Sequence, residues 1–304
     1  MKSLVTGGAG FIGSWIVDSL IDKGHEVIVI DNLSTGKEEN LNKKAVFYKK
    51  DILDKEIIQI FLKEKPDYVF HLAAQINVRR SIENPSEDAQ TNILGTLNLL
   101  DACTKSKVKK FIFSSTGGAI YGEDVKIPTL ETEKTDPISP YGIAKFTIEK
   151  YLEFYKKVYG LDYTILRYSN VYGPRQNAKG EAGVIAIFVT DIIKNKSFTI
   201  FGDGEQTRDY VYVKDVADAN ILALNLSGIF NIGTEKETSV NDLIKTLESI
   251  EKSKFSVKNI NAIKGELKRS CLSSEKIKKA GWKQQYNLEK GLKETLDYFK
   301  NQES

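Results

Sequence analysis

The sequence predicts an α/β protein with an N-terminal, doubly wound parallel sheet and a smaller, mixed α/β C-terminal part. Two observations lead to this prediction. Short β-rich runs alternate with helix-like segments through the first two-thirds of the chain, and parallel strands need such crossover helices between them. After about Tyr172 the alternation loosens, and Gly173-Pro174-Arg175 makes a strong break in the pattern.

The N-terminal elements follow from composition and periodicity. The runs rich in β-branched and aromatic residues are predicted as strands: Leu4–Thr6, Val27–Ile30, Val46–Lys49, Tyr68–Leu72, Phe111–Ser114 and Tyr163–Arg167. The helical patterns between them are Phe11–Lys23, Glu87–Thr104 and Tyr141–Tyr159.

The C-terminal part has no second copy of this pattern. It is predicted to contain a strand at Phe198–Phe201 and helices near Ile185–Lys194, Lys214–Leu226, Val240–Ile250, Ser274–Ala280 and Leu288–Lys300. We therefore expect one domain over residues 1–172, with part of residues 203–228 returning to it, and a second over residues 173–304. Ligands of such sheets bind at the carboxyl ends of the strands, so the site is expected in the cleft between the domains.

The composition excludes several classes of protein. The chain has 304 residues, is 41% hydrophobic and 28% charged, and carries a net charge of +3, so neither nucleic acid nor a membrane surface is an expected partner. Two distant cysteines, Cys103 and Cys271, exclude a disulfide framework and indicate the cytoplasm. His25 and His71 cannot form a histidine cluster, so no metal is expected. The first residues run directly into a strand, so no signal peptide is expected, and no apolar run reaches membrane-spanning length.

A glycine-rich turn follows the first strand and opens the first helix. It reads Val5-Thr6-Gly7-Gly8-Ala9-Gly10-Phe11-Ile12-Gly13. Gly7 and Gly8 allow a tight turn, Gly10 lets the backbone approach a diphosphate, and Gly13 lets the helix pack on the sheet. The helix N-terminus then offers N–H groups to the anion. In this context the motif predicts a Rossmann dinucleotide site rather than an ordinary glycine turn.

The second strand leads to an acidic residue that selects the cofactor. Asp31 lies about 20 residues beyond the glycines, where a carboxylate accepts hydrogen bonds from the adenosine ribose and repels a 2′-phosphate. The following residue is Asn32 and no arginine follows, which favours NAD over NADP. Asp51, after the third strand, either contacts the adenine or serves as a turn residue, and the sequence leaves both alternatives open.

Tyr141 and Lys145 are predicted to be the catalytic pair. They lie four residues apart at the start of a long helix, so they share one face. A free phenol has a pKa of about 10 and is a poor base at neutral pH, but a nearby ammonium stabilises its phenolate. Alone, this spacing is common and indicates only surface packing. After a dinucleotide motif in the same chain, it predicts redox chemistry.

The fifth strand ends in a run of hydroxyl and glycine residues. Within it, Thr116 is expected to hydrogen-bond a reacting sugar hydroxyl and to relay its proton to Tyr141. The alternative is a hydroxyl that only stabilises a turn.

Together these residues resemble the extended short-chain dehydrogenase/reductase family along essentially the whole chain. Three segments narrow the resemblance to the UDP-glucose (UDP-galactose) 4-epimerases of the bacterial and archaeal type: Ser115-Thr116-Gly117-Gly118-Ala119-Ile120-Tyr121-Gly122, Leu166-Arg167-Tyr168-Ser169-Asn170-Val171-Tyr172-Gly173-Pro174-Arg175, and Phe201-Gly202-Asp203-Gly204 with Thr207-Arg208-Asp209-Tyr210-Val211.

The resemblance implies roles for further residues. For NAD it implies contacts from the segment His71-Leu72-Ala73-Ala74 and from Ile52, Asn92 and Ser114, with Asn92 supporting the site from its helix. For a UDP-sugar it implies contacts from Thr116, Gly117, Tyr141, Asn170, Val184, Phe201, Arg208, Glu266 and Ser270. Asn170 and Arg208 would hold the diphosphate, a task that suits a guanidinium, and Phe201 would lie beside the uracil.

Two features of the sequence bear on the reaction. Related dehydratases and decarboxylases carry acids after the hydroxyl residue, whereas this chain has Gly117-Gly118, which favours epimerisation. In the late loop, Ile263 replaces the family's usual arginine and Glu266 its usual aspartate, so Lys264 is the alternative phosphate contact.

The resemblance also implies a sugar gate in that late loop. Ser270 occupies the gate position beside the sugar's C2 substituent, where epimerases restricted to plain hexoses carry a tyrosine. UDP-N-acetylhexosamines are therefore expected substrates beside UDP-glucose and UDP-galactose. A shift of register would instead place Arg269 or Cys271 at the gate.

The expected reaction is NAD-dependent epimerisation at C4 of a UDP-hexose through a 4-keto sugar, as in galactose metabolism. Two rivals remain at this stage. One is another nucleotide-sugar epimerase or a 4,6-dehydratase, and the other is an NAD sensor without turnover, which would not need both Tyr141 and Lys145.

A homodimer is expected, because apolar residues cover roughly half of the Tyr141–Tyr159 helix, more than packing against one sheet needs. The alternative is a helix buried within its own chain.

Overall fold

The computed structural model describes residues 1–177, 183–262 and 267–303. Its strands are β1 (Lys2–Thr6), β2 (Glu26–Asp31), β3 (Val46–Lys49), β4 (Tyr68–His71), β5 (Lys110–Thr116), β6 (Asp162–Tyr168), β7 (Asn170–Tyr172), β8 (Phe198–Phe201), β9 (Thr207–Arg208), β10 (Tyr210–Tyr212), β11 (Gly228–Ile232), β12 (Thr238–Ser239), β13 (Val257–Ile260) and β14 (Arg269–Ser270). Its helices are α1 (Phe11–Asp22), α2 (Ile57–Glu64), α3 (Val78–Glu83), α4 (Pro85–Ala89), α5 (Gly95–Ser106), α6 (Gly117–Ile120), α7 (Pro140–Tyr159), α8 (Val184–Ile193), α9 (Val213–Ala223), α10 (Val240–Glu251), α11 (Glu275–Lys279) and α12 (Leu288–Glu303).

A seven-stranded parallel sheet forms the N-terminal part, in the order β11-β6-β5-β4-β1-β2-β3. The order reverses between β1 and β4, and this reversal creates the crevice in which doubly wound sheets bind ligands. The predicted fold class is confirmed, and each predicted N-terminal strand overlaps one of β1–β6. The edge strand β11 was not predicted and comes from the C-terminal half of the chain.

Helices cover both faces of this sheet, as a doubly wound fold requires. On one face, α2, α5 and α7 bury side chains such as Phe61, Leu99 and Leu152. On the other, α1 and α9 pack together, with Ile16 and Val216 in the same core. Because α9 lies within residues 213–223, a segment from the second half of the chain packs with the first.

The predicted helix Glu87–Thr104 is helical throughout, but it contains a π-helical turn that was not predicted. The structure has α4, then a π-helical turn over Gln90–Leu94, then α5. The wider turn buries the Asn92 side chain and leaves Leu94 exposed. A period of 3.6 residues cannot reveal such a turn, and π-helical turns are frequent at functional sites.

Among the described residues, the strands of the C-terminal part form three small sheets. Their pairings are β7 with β10, β12 with β9 and β14, and β8 with β13. Helices α8, α10 and α12 enclose its core, where Phe188, Leu243 and Leu296 are buried. The predicted mixed α/β character is confirmed. In the part of the chain that the structure describes, no helix is both long and apolar enough to cross a membrane.

Candidate active site

A cavity opens at the carboxyl ends of β1, β2, β4 and β5. Its lining includes the residues predicted to contact the cofactor, with the exception of His71 and Asn92: Gly7, Gly10, Phe11, Ile12, Gly13, Asp31, Asn32, Asp51, Ile52, Leu72, Ala73, Ala74, Ser114, Tyr141 and Lys145. Lining residues that sequence reasoning missed include Ile30, Ser34, Thr35, Lys50, Ile76, Thr91, Ser115 and Tyr168. Ser115 and Tyr168 lie within segments that carry the resemblance, although no role was predicted for them, and the others lie close in sequence to predicted residues.

The glycine turn has the geometry of a diphosphate cradle. Gly7 adopts a φ of +70°, and a Cβ on Gly13 would lie 2.1 Å from the Gly7 carbonyl oxygen. The N-cap residue Gly10 has no side chain that could cap the helix, and the first turn of α1 carries no acidic residue. The N–H groups at the start of α1 are therefore not capped by a side chain and suit a bound anion. These features fit NAD.

Asp31 is held rigidly at the end of β2. One carboxylate oxygen accepts a hydrogen bond from the Ala9 N–H at 3.0 Å and the other from the Leu33 N–H at 2.8 Å. Each oxygen keeps a second lone pair, so the ribose hydroxyls can still bind. The side chain is buried, which strengthens its repulsion of a 2′-phosphate.

Asp51 combines features of both alternatives left open by the sequence. It lines the cavity, and its oxygens accept hydrogen bonds from the Leu53 N–H at 2.9 Å and the Asn32 amide at 2.7 Å. The first is a turn contact. The second links the loops after β2 and β3, which form this end of the cavity.

Asn92 does not line the cavity, contrary to its expected place beside the cofactor. Its amide donates to the Gln75 carbonyl at 2.9 Å and to Asp88 at 3.0 Å, and its oxygen accepts from the Gln75 N–H at 2.9 Å. These bonds occupy both donors of the buried side chain. Asn92 supports the loop after β4 from its helix, in the way that the resemblance implies, and Leu72 and Ala73 of that loop line the cavity.

The start of α7 brings Tyr141 and Lys145 to the cavity. The Ser139 side chain caps the helix by accepting from the Gly142 N–H at 3.2 Å. A Cβ on Gly142 would lie 2.3 Å from the Ala119 carbonyl oxygen, so the helix start packs closely on the segment after β5. This packing fixes the direction in which Tyr141 enters the site.

The Lys145 ammonium lies between the tyrosine and the sheet. Its Nζ is 5.9 Å from the Tyr141 ring centroid and donates to the Ser114 carbonyl at 2.9 Å. Burial lowers the pKa of Lys145 to about 8, against the opposing effects of Asp88 and Glu149. A lysine in this state is still largely charged at neutral pH and is close enough to stabilise a phenolate.

A buried ion pair joins α7 to strand β6 of the sheet. Arg167 of β6 donates to the Glu149 carboxylate through Nε at 3.0 Å and through a terminal nitrogen at 2.5 Å. The Ser115 hydroxyl donates to the same carboxylate at 2.6 Å. Sequence reasoning missed this pair, although an arginine inside an otherwise apolar strand was its signal. The pair holds the end of β5 against the helix that carries Lys145.

His71 is a structural residue at the end of β4. Its two ring nitrogens form hydrogen bonds with the Thr6 and Thr96 hydroxyls, both at 2.7 Å. Burial, with a smaller contribution from the charge of Lys145, lowers the pKa of His71 well below its ordinary value. His71 is therefore neutral. It does not line the cavity, whereas the next three residues, Leu72, Ala73 and Ala74, do.

Thr116 and Gly117 follow the cavity-lining residue Ser115. The Thr116 side chain makes no capping hydrogen bond to α6. A Cβ on Gly117 would lie 2.4 Å from the Leu272 side chain, whereas one on Gly118 would meet only the Thr116 hydroxyl, at 4.0 Å. An acidic side chain at position 117 would thus have to displace the buried Leu272.

The other predicted substrate residues, apart from Thr116, Gly117 and Tyr141, lie outside the lining of the cofactor cavity. Arg208 of β9 is paired in register with Ser270 of β14, and Phe201 at the end of β8 is 39% exposed. Asn170 pairs with Tyr210 in the β7–β10 ribbon, and Val184 begins α8. Glu266, Ile263 and Lys264 lie outside the described residues.

Asp209 was not predicted as a functional residue, although it lies within a segment that carries the resemblance. It is fully buried and accepts hydrogen bonds from the Thr234 N–H at 2.8 Å, the Thr234 hydroxyl at 2.6 Å and the Leu272 N–H at 3.2 Å. It therefore fixes the backbone beside Arg208 and the segment that leads from Ser270 to Leu272.

The three candidates for the sugar gate have different surroundings. Arg269 forms an ion pair with Glu237, and Cys271 is buried with its sulfur 4.0 Å from the Asp209 carboxylate. Ser270 lies between them and is half-buried. Because successive strand residues point to opposite faces, Ser270 faces away from the Arg269–Glu237 pair.

Comparisons with known proteins agree with this arrangement. The family described as the NAD dependent epimerase/dehydratase family matches residues 3–233. A crystal structure of UDP-glucose 4-epimerase with UDP-glucose, from Thermotoga maritima, is 54% identical, with a TM-score of 0.98 over 100% of both chains. That of the Thermus thermophilus UDP-glucose 4-epimerase in complex with NAD is 44% identical, covers 98% of this chain and 99% of that one, and has a TM-score of 0.94. That of UDP-N-acetylglucosamine 4-epimerase from Methanobrevibacter ruminantium, in complex with UDP-N-acetylmuramic acid, is 40% identical, covers 99% of this chain and 98% of that one, and also has a TM-score of 0.94.

Proposed function

This chain belongs to the NAD dependent epimerase/dehydratase family, and from that membership we propose that it is a UDP-glucose 4-epimerase. The observation that carries the proposal is one cavity that contains a dinucleotide cradle, the Asp31 carboxylate and the pair Tyr141 and Lys145. The structures of similar proteins with UDP-glucose and with NAD support the same substrate and cofactor.

The residues of the site divide the reaction between them. When bound, NAD supplies reversible hydride acceptance at C4 of the sugar. Tyr141, as phenolate, removes the proton of the 4-hydroxyl, directly or through Thr116, and returns it at the end of the cycle. Lys145, whose side chain is buried, stabilises the phenolate. The 4-keto sugar must turn over between the two hydride transfers, so this chain should hold the UDP group tightly and the sugar loosely.

The diphosphate is proposed to bind Arg208 and Asn170, with Phe201 beside the uracil. Arg208 supplies a guanidinium on a strand whose neighbours are fixed by Asp209. The division of the chain into residues 1–172 and 173–304 is proposed because the first part carries the cofactor cavity and the second carries Phe201 and Arg208, whereas Asn170 lies at the end of the first part.

A product assay on several nucleotide sugars tests the function. Purified enzyme with UDP-galactose should form UDP-glucose, of unchanged mass, without added cofactor. A product lighter by one water would identify a dehydratase, and the absence of any product would favour an NAD sensor. The Gly117-Gly118 segment, which lacks carboxylates, favours the first outcome.

NAD rather than NADP should be extracted from the purified protein, because a buried carboxylate at the ribose opposes a 2′-phosphate. Replacement of Asp31 by asparagine should reduce the preference for NAD about tenfold or more, since the amide keeps the shape of the side chain and loses its charge. Chromatography of the released nucleotide and competition binding measure both. Mostly NADP in the wild-type protein would refute the role of Asp31.

UDP-N-acetylhexosamines are proposed as further substrates. Ser270 carries no ring that could exclude an acetamido group at C2 of the sugar. The similarity to a UDP-N-acetylglucosamine 4-epimerase supports this extension.

A homodimer formed through α7 is proposed as the assembly. Ile148, Leu152 and Tyr155 of this helix are buried against the sheet, whereas Phe154 and Val158 are 47% and 54% exposed. Ile143, Tyr151 and Tyr159 extend the same exposed set. Such an apolar face indicates a partner surface, and a second copy of this helix matches it.

Light scattering at micromolar concentration should report the mass of a dimer. The double variant Phe154→Glu/Val158→Glu should be a monomer, because association would bury its new charges. Val46→Glu, which places a charge at another exposed apolar side chain, should remain a dimer. A monomeric wild-type protein would contradict the proposal.

A cytoplasmic location is proposed from the two free, buried cysteines.

A further inference from the structure

Asp88 is a buried carboxylate that the proposed mechanism does not use. It lies on α4, just before the π-helical turn, with 1% of its surface exposed. Both α4 and this turn pack against α7, which carries Tyr141 and Lys145. A buried carboxylate is costly unless it is paired, so its position beside the catalytic helix calls for a reason.

The two oxygens of Asp88 have different surroundings. Oδ1 accepts a hydrogen bond from the Gln75 side-chain amide and another from the Asn92 amide, both at 3.0 Å. Oδ2 is buried and has no hydrogen-bond partner among the described residues. One oxygen therefore organises a network, and the other leaves negative charge uncompensated by hydrogen bonds.

The network leads to the wall of the cofactor cavity. Gln75 also donates to the Asn77 carbonyl at 3.0 Å and accepts from the Asn77 N–H at 2.5 Å. The loop braced in this way includes Ala74 and Ile76, which line the cavity. Asp88 thus connects the loop after β4 to the helix that carries the catalytic pair.

We propose that Asp88 is a positioning residue, whose buried carboxylate braces the loop after β4 and is the counter-charge that keeps the Lys145 side chain an ammonium beside Tyr141. The proposal rests on the proposed roles of Tyr141 and Lys145. It assigns this task to Asp88 because Glu149, the other carboxylate that acts on Lys145, is already paired with Arg167.

The other described ionisable groups around Lys145 and Asp88 are already paired, neutral or hydrogen-bonded, so the counter-charge for Lys145 is assigned to Asp88. On α7, the charge of Glu149 is compensated by its ion pair with Arg167, and Tyr141 is the group whose phenolate the Lys145 ammonium stabilises. From α4, Glu87 is exposed and paired with Arg80 of α3. From β4, His71 is neutral, and from β6 the Tyr168 hydroxyl is hydrogen-bonded to Ser114 at 2.9 Å. Burial raises the pKa of Asp88, whereas the hydrogen bonds from Gln75 and Asn92 and, to a smaller extent, the charge of Lys145 lower it.

Asp88→Asn isolates the charge, because the new oxygen can keep both Oδ1 contacts while the new amide nitrogen takes the place of the unpartnered Oδ2. Without the carboxylate, the pKa of Lys145 falls, so the ammonium is lost at lower pH. The alkaline limb of the pH profile of kcat should therefore move about one pH unit lower, and kcat above that limb should fall roughly tenfold. A purely structural role would lower stability or NAD content without moving the limb.

Two variants complete the experiment. Glu87→Gln removes the neighbouring acid on the same helix and should leave the limb unchanged. Asp88→Glu keeps a carboxylate at this position and should keep the wild-type limb. If Asp88→Asn is too unstable to assay, Asp88→Glu decides alone, and a lowered limb in it overturns the proposal.

An unchanged limb in a stable Asp88→Asn enzyme also overturns the proposal. Failure of the proposed function is a different result, because the wild-type enzyme would then form no epimer at any pH.

Discussion

Replacement of Tyr141 by phenylalanine is expected to lower kcat for C4 epimerisation by roughly 10³-fold, within the range for loss of a general acid–base group. The ring is kept, so the packing at the start of α7 should persist. NAD should remain bound, because the glycine turn and Asp31 hold the other end of the cofactor. Steady-state kinetics and the absorbance of extracted nucleotide measure the two effects separately.

Tyr151→Phe is the matched control for this variant. It removes a phenol from the same helix, on the exposed face that is proposed for the dimer, and should leave kcat unchanged. Near-normal turnover by Tyr141→Phe would remove this residue from the mechanism. Loss of bound NAD together with activity would instead show that the tyrosine supports cofactor binding.

Ser270→Tyr is expected to lower kcat/KM for UDP-N-acetylglucosamine by about 10²-fold or more, while UDP-glucose changes only a few-fold. A steric clash discriminates strongly, because the larger substrate must displace packed groups, whereas room alone adds little affinity. Ser270 is half-buried and in register with Arg208, the proposed diphosphate ligand, so a ring there would lie beside the proposed substrate site. Kinetics with both substrates in wild type and variant give the ratio.

Arg269→Tyr provides the control, since it places the same ring one residue earlier on the opposite face of β14. It should affect both substrates equally, through loss of the ion pair with Glu237. If the Ser270→Tyr enzyme keeps full activity on the N-acetylated sugar, another residue forms the gate.

The sequence predicted the N-terminal sheet well because its strands are short apolar runs bounded by turns and separated by helices. The strand β11 was missed for the opposite reason. Its five residues follow a loosened pattern, and its partner β6 lies far earlier in the chain, so only tertiary contacts define it. The π-helical turn was missed because the 3.6-residue period of a helix does not reveal one wider turn.

The site was predicted where a motif combines residue type with spacing. The glycine turn, Asp31 and the pair Tyr141 and Lys145 meet in one cavity, as expected. Residues that act through other side chains were not predictable in this way. Asp88 and Glu149 carry no spacing signal, and their roles follow only from burial and from their partners across the fold.

The central claim is that C4 of the sugar is oxidised and reduced within one active site. UDP-galactose deuterated at C4 tests it directly, in protonated buffer and without added NAD. The account predicts UDP-glucose that retains the deuterium at C4, since the transferred atom stays on the enzyme between the two transfers. Loss of the label to solvent, with UDP-glucose still formed, would contradict it, because that result requires proton removal at C4 rather than hydride transfer.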